Sequence, residues 1–194
     1  MSLWKTLFAR TAANTYQAMR GDKATNTLQT ISYPHHEIHA GSGFFYGYTQ
    51  DMTDGHYIDI QISTPSGTKW AHMTFQVSSE NECEVQLLEN VTISVAGAAL
   101  TERNSNRNSG TTATTTLAYI TNTSLVNAES DTGTGSARNL LEFRLGSAKA
   151  TGGEFSHENE IILDADEDYS LRIQAIAAGW VNYYFNWYEH TDVN

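Results

Sequence analysis

The clearest pattern in the chain is a period-two alternation near its C-terminal end, from Val181 to Trp187. Val181, Tyr183, Phe185 and Trp187 fall on one face, and Asn182, Tyr184 and Asn186 on the other, followed by Tyr188. Aromatic and β-branched residues alternating with polar ones predict a half-buried strand. Its four large apolar side chains would fill much of a small core, so this strand is expected at the centre of a β-sandwich. The same alternation recurs upstream. Ile58, Ile60 and Ile62 are expected to face inward, as are Met73, Phe75 and Val77, then Cys83, Val85 and Leu87. Leu141, Phe143 and Leu145 form another such set, and Tyr169, Leu171, Ile173 and Ala175 line one face of the strand before the last. Shorter strands are predicted at His36–Ala40, Phe44–Tyr48, Val91–Val95, Leu117–Ile120 and Glu160–Leu163.

Turn signals separate these runs. Asp54-Gly55 and Thr64-Pro65-Ser66-Gly67 punctuate the early body. Stretches rich in Gly, Ser and Thr occupy 129–137 and 146–153, and Asp164 to Asp168 is an acidic turn. The longest polar run follows Leu100 and includes Arg103 to Gly110; a loop of this length inside a compact domain is usually functional or mobile. Eight to ten short strands without a long helix predict an all-β fold, and among two-sheet solutions a jelly-roll-like sandwich suits the count and the uneven loops.

Residues 1–32 depart from this pattern. Leu3, Trp4, Leu7 and Phe8 repeat at helical spacing, continued weakly by Ala12, Tyr16 and Met19. The expectation is an N-terminal arm at 1–32, a short amphipathic helix plus a polar loop, ahead of a sandwich at 33–194. Such a helix is marginal alone, and its apolar stripe needs either its own domain or another subunit.

Composition adds three constraints. At 194 residues the chain suits one domain with an arm, and it buries enough surface to fold without metal or disulfide. Its single cysteine, Cys83, permits no intrachain disulfide and alternates with Val85 and Leu87, the setting of a buried thiol. The net charge is −11, split unevenly: residues 1–32 carry about +3 and the remainder about −14. An acidic body argues against nucleic-acid binding, which needs a basic face to replace counterions. A basic arm on that body suggests that the arm meets something negative, such as a protein surface. The first ten residues, broken by Lys5 and Arg10, do not form a signal peptide, and no run approaches membrane-spanning length.

Candidate chemistry is sparse. His35, Glu37 and His39 would share a strand face, and two histidines so placed can ligate zinc. The glycine and glutamate spacing of a cupin motif is missing, so surface or hydrogen-bonded histidines are favoured. Asp164, Asp166 and Asp168 have calcium-loop spacing, but Tyr169 and Ala175 stand where an EF-hand requires Gly and Glu. Nucleophile-elbow, Walker and dinucleotide motifs do not occur. No cofactor or metal is expected. Exposed Tyr184 and Tyr188 suit packing against a neighbour or stacking on a sugar.

Several blocks carry a resemblance. They are His36-Glu37-Ile38-His39 with Gly41 and Phe44-Phe45; Thr68-Lys69-Trp70-Ala71-His72-Met73-Thr74-Phe75; Arg107-Asn108-Ser109; Asn159-Glu160-Ile161-Ile162-Leu163; and the closing Trp187-Tyr188-Glu189-His190-Thr191-Asp192. In their order and coverage, from 35 to 192, they resemble the head decoration or cement proteins of tailed bacteriophages, virion structural proteins with a jelly-roll body. The resemblance implies a non-enzymatic protein, made in the host bacterial cytoplasm, that binds the outside of an assembled capsid. Its implied partners are the phage major capsid protein and sister copies in a dimer or trimer, with no nucleic acid and no membrane. The arm matches no block of the family. On physical grounds its apolar anchors and flanking charges, Trp4, Lys5, Leu7, Phe8 and Arg10, are the expected capsid or subunit contacts. The alternative is a phage host-recognition module that binds glycan through its loops and the exposed Tyr184 and Tyr188, with the loop at 103–110 as its natural surface.

Overall fold

A computed structural model describes residues 8–10, 16–18, 32–120, 137–146, 153–156 and 160–191. The chain divides into two compact units, 1–36 and 37–194. In the first, β1 (Phe8–Arg10) pairs antiparallel with β2 (Tyr16–Ala18), Ala9 opposite Gln17. Phe8 and Arg10 therefore lie on a strand where helical spacing predicted a helix. The reason is intrinsic: so short a helix recovers little of its nucleation cost, whereas cross-strand pairing satisfies the same backbone groups. Trp4, Lys5 and Leu7 lie outside the described residues.

A helix, α1 (Tyr33–Ala40), replaces the strand expected at His36–Ala40. Its ends explain it. Ser32 accepts the first backbone bond, from His36 N–H at 3.0 Å, and Pro34 sits in the first turn, where its missing N–H costs nothing. At the other end Gly41 takes φ +81°. Gly41 N–H donates to Ile38 and Ser42 N–H donates to Glu37, the paired bonds of a Schellman stop. His35 and His39 remain neighbours at i, i+4, but Glu37 turns away from them and is buried.

The second unit is a sandwich of two antiparallel sheets. Its strands are β3 (Gly43–Met52), β4 (Tyr57–Ser63), β5 (Lys69–Ser79), β6 (Cys83–Glu89), β7 (Ala98–Leu100), β8 (Arg103–Asn104) and β9 (Thr116–Ile120). They continue with β10 (Arg138–Leu145), β11 (Gly153–Ser156), β12 (Ile161–Leu163), β13 (Asp168–Ala175) and β14 (Gly179–Thr191). The first sheet runs β10-β6-β13-β4-β9-β7; the second runs β11-β5-β14-β3-β8, with β12 also paired to β5. Along the eight strands β3, β4, β5, β6, β10, β11, β13 and β14, each step changes sheets except β6 to β10. The quartets β11-β5-β14-β3 and β10-β6-β13-β4 are those of a jelly roll, with β7, β8 and β9 inserted between its fourth and fifth strands.

β14 is central, as the alternation predicted. It pairs with β3 on one side and with β5 along eleven residues on the other. Val181, Tyr183, Phe185 and Trp187 are each at most 3% exposed. In register beside them stand Met73, Phe75 and Val77, with Phe44, Tyr46 and Tyr48 on the other flank. Facing them across the core are Ile58, Ile60 and Ile62 of β4, Leu171 and Ile173 of β13, and Val85 and Leu87 of β6. Burying each such side chain contributes about 1.5–3 kcal/mol, so this core is the dominant stabilising term. Cys83 lies within it as a buried free thiol, and burial pushes its pKa up.

One predicted strand is absent. Val91–Val95 is a loop: Val91 is buried with Leu88, Ile120 and Ala137 in a second, smaller cluster, while Val95 is 63% exposed. That cluster lies on the outer side of the first sheet, since Leu88 neighbours the inward-facing Leu87 and therefore points away from the main core. On the same outer side Arg172 and Asp59, directly opposite across β13 and β4, form a two-pronged ion pair. Arg172 Nε lies 2.7 Å from Asp59 Oδ1 and its Nη2 3.1 Å from Oδ2. Asp59 is fully buried; desolvation pushes its pKa up, and the guanidinium offsets part of that rise.

Candidate functional site

The end of the sandwich where β14 finishes and β3 begins gathers side chains from five stretches of sequence. Its floor is Trp187, buried and tilted against Phe44 with ring centroids 5.8 Å apart. Two residues on, Glu189 points the same way and is 2% exposed. Such a carboxylate must be hydrogen-bonded to stay charged. Thr114 N–H donates to its Oε2 at 2.9 Å and Thr114 Oγ1–H at 2.6 Å; Thr115 N–H donates to Oε1 at 2.7 Å, and Trp187 Nε1–H reaches it at 3.3 Å. Glu189 thus fixes the end of the long polar loop onto the strand, and its own N–H donates to Ser42 at 2.9 Å.

The polar run after Leu100 is held in the same place. Asn104 is buried, and its Nδ2 donates to the carbonyls of Gly41 at 2.7 Å and Thr111 at 3.0 Å. Asn106 N–H donates to Asn104 Oδ1, Asn108 N–H to Asn106 Oδ1, and Asn106 Nδ2 to His39 O. Asn and Asp side chains that bond backbone two residues on build turns without a sheet. Expected to be functional or mobile, the segment is a ladder of such turns seated on α1. Gly41 makes that contact possible twice over: its φ is positive, and a Cβ there would lie 2.5 Å from Ser109 Oγ.

On the outer face of the same end, β5, β14 and the residue before β12 bring together His72, Glu160, Tyr188 and His190. Tyr188 stands opposite His72 in register and stacks on it at 4.7 Å. Tyr188 O–H donates to Glu160 Oε2 at 2.7 Å, and the same oxygen lies 3.2 Å from His72 Nδ1. His72 Nε2 and His190 Nε2 are 2.7 Å apart, while His190 Nδ1 faces Thr191 O at 3.1 Å. Each ring turns its Nδ1 to an oxygen, and the two Nε2 atoms face each other. The cluster cross-links β5, β14 and the residue preceding β12. Among the described residues no group of three or more His, Cys, Asp or Glu side chains is arranged to hold a metal ion.

The acidic triplet separates in space. Asp168 lies on β13 and accepts hydrogen bonds from Gln61 Nε2 at 3.0 Å and from Ser63 Oγ. The turn before it is closed by Thr64, whose Oγ1 donates toward Asp164 O and Glu167 O, and Asp166 takes φ +61°.

Farther along the outer face of the second sheet is an open groove of about 330 Å³ beside Tyr184. Tyr184 stacks on Phe45 at 6.1 Å and lies over Gly47, where a Cβ would approach its ring to 2.9 Å. Sequence reading singled out Tyr184 and Tyr188 but missed Glu189, His72 and Gly47 as a set. Their parity was available: His72 falls on the outward positions of β5 and Gly47 on those of β3. Which strands are neighbours was not. Phe8 and Arg10 belong to the first unit, and Trp4, Lys5 and Leu7 lie outside the described residues.

Compared with known protein families, curated proteins and solved structures, the chain matches none. Among the described residues no helix is long and apolar enough to cross a membrane.

Proposed function

We propose that the chain is a structural protein of a tailed-phage virion, which binds the outside of the assembled capsid and ties neighbouring coat subunits together. The observation that supports this reading is the meeting of the resemblance blocks. His36 to Gly41, Phe44-Phe45, Lys69 to Phe75, Arg107 to Ser109, Glu160 to Leu163 and Trp187 to Thr191 are dispersed over some 150 residues, yet they adjoin at one end of the sandwich. Blocks that agree with a family only by chance have no reason to form one contiguous structure. The rigidity of that end also suits a cement role. A protein that resists outward pressure on a shell needs a body that does not yield, and here a buried carboxylate, an amide ladder and an aromatic core lock together.

In this reading the partner is the major capsid protein, the body works as a homo-oligomer, and the role requires no cofactor or catalysis. The N-terminal unit supplies part of the hold through Trp4, Lys5, Leu7, Phe8 and Arg10, its positive charge offsetting the acidic body. The test is addition in trans: purified chain is mixed with capsids that lack it, and bound copies are counted after sedimentation. The full chain is expected to add, and a chain lacking residues 1–30 to remain folded and stay in the supernatant. Failure of the full chain overturns the capsid reading; equal binding by the truncated chain overturns the role given to the arm.

A further inference from the structure

The groove on the outer face of the second sheet has the chemistry of a saccharide site. It is lined by Gly47, Thr49, Gln76, Ser78, Asn182 and Tyr184 among others, and none of its lining residues is charged. Its centre is pre-ordered. Thr49 Oγ1 donates to Asn182 Oδ1 at 2.6 Å, and Asn182 Nδ2 donates to Ser78 Oγ at 3.1 Å, a chain of bonds across three adjacent strands. An amide has two N–H donors and two acceptor lone pairs. These bonds use one of each and fix the amide plane, leaving one N–H donor and one acceptor lone pair for a ligand. That is the complement of a sugar's vicinal hydroxyls, each of which donates and accepts.

The wall is equally specific. Tyr184 is 41% exposed and held by Phe45 from one side, its ring laid over Gly47 where any larger residue would lift it. A fixed, half-exposed aromatic ring offers a flat apolar surface at low entropic cost. A pyranose has a matching apolar face of C–H groups. Trp180, 51% exposed, lies on the same face of β14 four residues away, about 13 Å along an extended strand. Asn182 stands between the two rings. Aromatic, amide, aromatic along one strand matches a short oligosaccharide better than a single sugar.

We infer that this groove binds a neutral oligosaccharide, with Tyr184 and Trp180 as stacking surfaces and Asn182, Thr49 and Ser78 as hydroxyl partners. Its uncharged lining and the net charge of −11 disfavour acidic glycans. The inference narrows glycan recognition from the loops and exposed tyrosines together to one groove on the open face of the sheet, away from the loop at 103–110, which is pinned to α1. It stands independently of the capsid reading, because a protein can cement a shell with or without it.

The test uses the full chain on an array of neutral, sialylated and phosphorylated glycans, followed by calorimetric titration of the strongest neutral oligosaccharide. The expected result is binding to neutral glycans that weakens at least tenfold in Tyr184→Ala and in Thr49→Val, with the melting temperature of each variant close to that of the parent. Thr49→Val removes a groove hydroxyl without removing a ring, so it reads the site even where Tyr184→Ala folds poorly. Binding to no glycan, binding only to acidic glycans, self-association through this face in place of glycan binding, or affinity unchanged in Thr49→Val overturns the inference.

Discussion

On the first sheet, the outward positions of β4 and β13 hold Asp59, Ser170 and Arg172, and all three are buried. On the second, Trp180, Asn182, Tyr184 and Asn186 at the outward positions of β14 are all exposed, and only at the strand's far end is Tyr188 buried against His72. The strands obey the same period-two rule, yet one outer face has become a second interior and the other a surface. The difference lies in what covers them. Leu88 and Ile120 project from the first sheet into a buried cluster completed by Val91 and Ala137, and Ile120 stands directly beside Asp59 in register. The second sheet has polar and aromatic side chains at the corresponding places. One face is therefore expected to govern stability and the other recognition, and substitutions should separate the two.

The largest effect is expected at the buried pair. Asp59→Ala leaves the Arg172 guanidinium buried beside Tyr57, whose ring centroid is 5.0 Å away, without its carboxylate. Removing one partner of a buried pair costs about 3–5 kcal/mol. The double change Asp59→Leu with Arg172→Met, which leaves no charge behind, is expected to cost much less. Urea unfolding of the single and double variants measures both. Equal losses would mean that the pair itself, rather than its uncompensated half, carries the stability.

Alkaline pH gives the next effect. Burial pushes the phenols of Tyr183 in the main core and Tyr169 above their ordinary range; at Tyr169 the hydrogen bond with the Asp164 backbone offsets part of the rise and the Glu89 carboxylate adds to it. The folded chain therefore keeps protons that the unfolded chain loses near pH 10. Stability is fully present below about pH 10 and falls as pH rises toward the folded values, by up to about 1.4 kcal/mol per pH unit for each tyrosine. Melting between pH 8 and 11.5 should show the fall, and Tyr183→Phe should make it shallower. An unchanged slope in that variant would place the titrating group elsewhere.

The smallest effect on stability is expected at the open face. Asn182→Ala and Tyr184→Ala should each cost about 1 kcal/mol or less, the range of surface positions with few partners. A loss comparable to that of Asp59→Ala would mean that the second sheet is covered in solution, and the contrast between the faces would fail.

Much of this architecture was legible in the sequence, because β4, β5, β6, β13 and β14 alternate cleanly and only one parity fits a core. The burial of Asp59 and Arg172 was not legible in the same way, since alternation says which side a residue takes and not whether that side is wet. The adjacent pair Leu87-Leu88 was the available sign that both sides of the first sheet are covered. At α1 the polar composition hid a helix whose ends, Ser32 with Pro34 and then Gly41, carried the signal instead. Val91–Val95 looked like a strand by residue type, but only Val91 reaches a buried cluster. The site at the sandwich end was visible as separate blocks; their adjacency is a property of topology, which local pattern does not encode.

The central claim, a shell-covering virion protein, is tested most directly by its copy number in purified particles, measured by quantitative mass spectrometry against the major coat protein. The account predicts a ratio within a small factor of the coat protein. A handful of copies per particle would place the chain at a single vertex as a fibre or receptor-binding part, and complete absence from the particle would contradict the virion reading altogether.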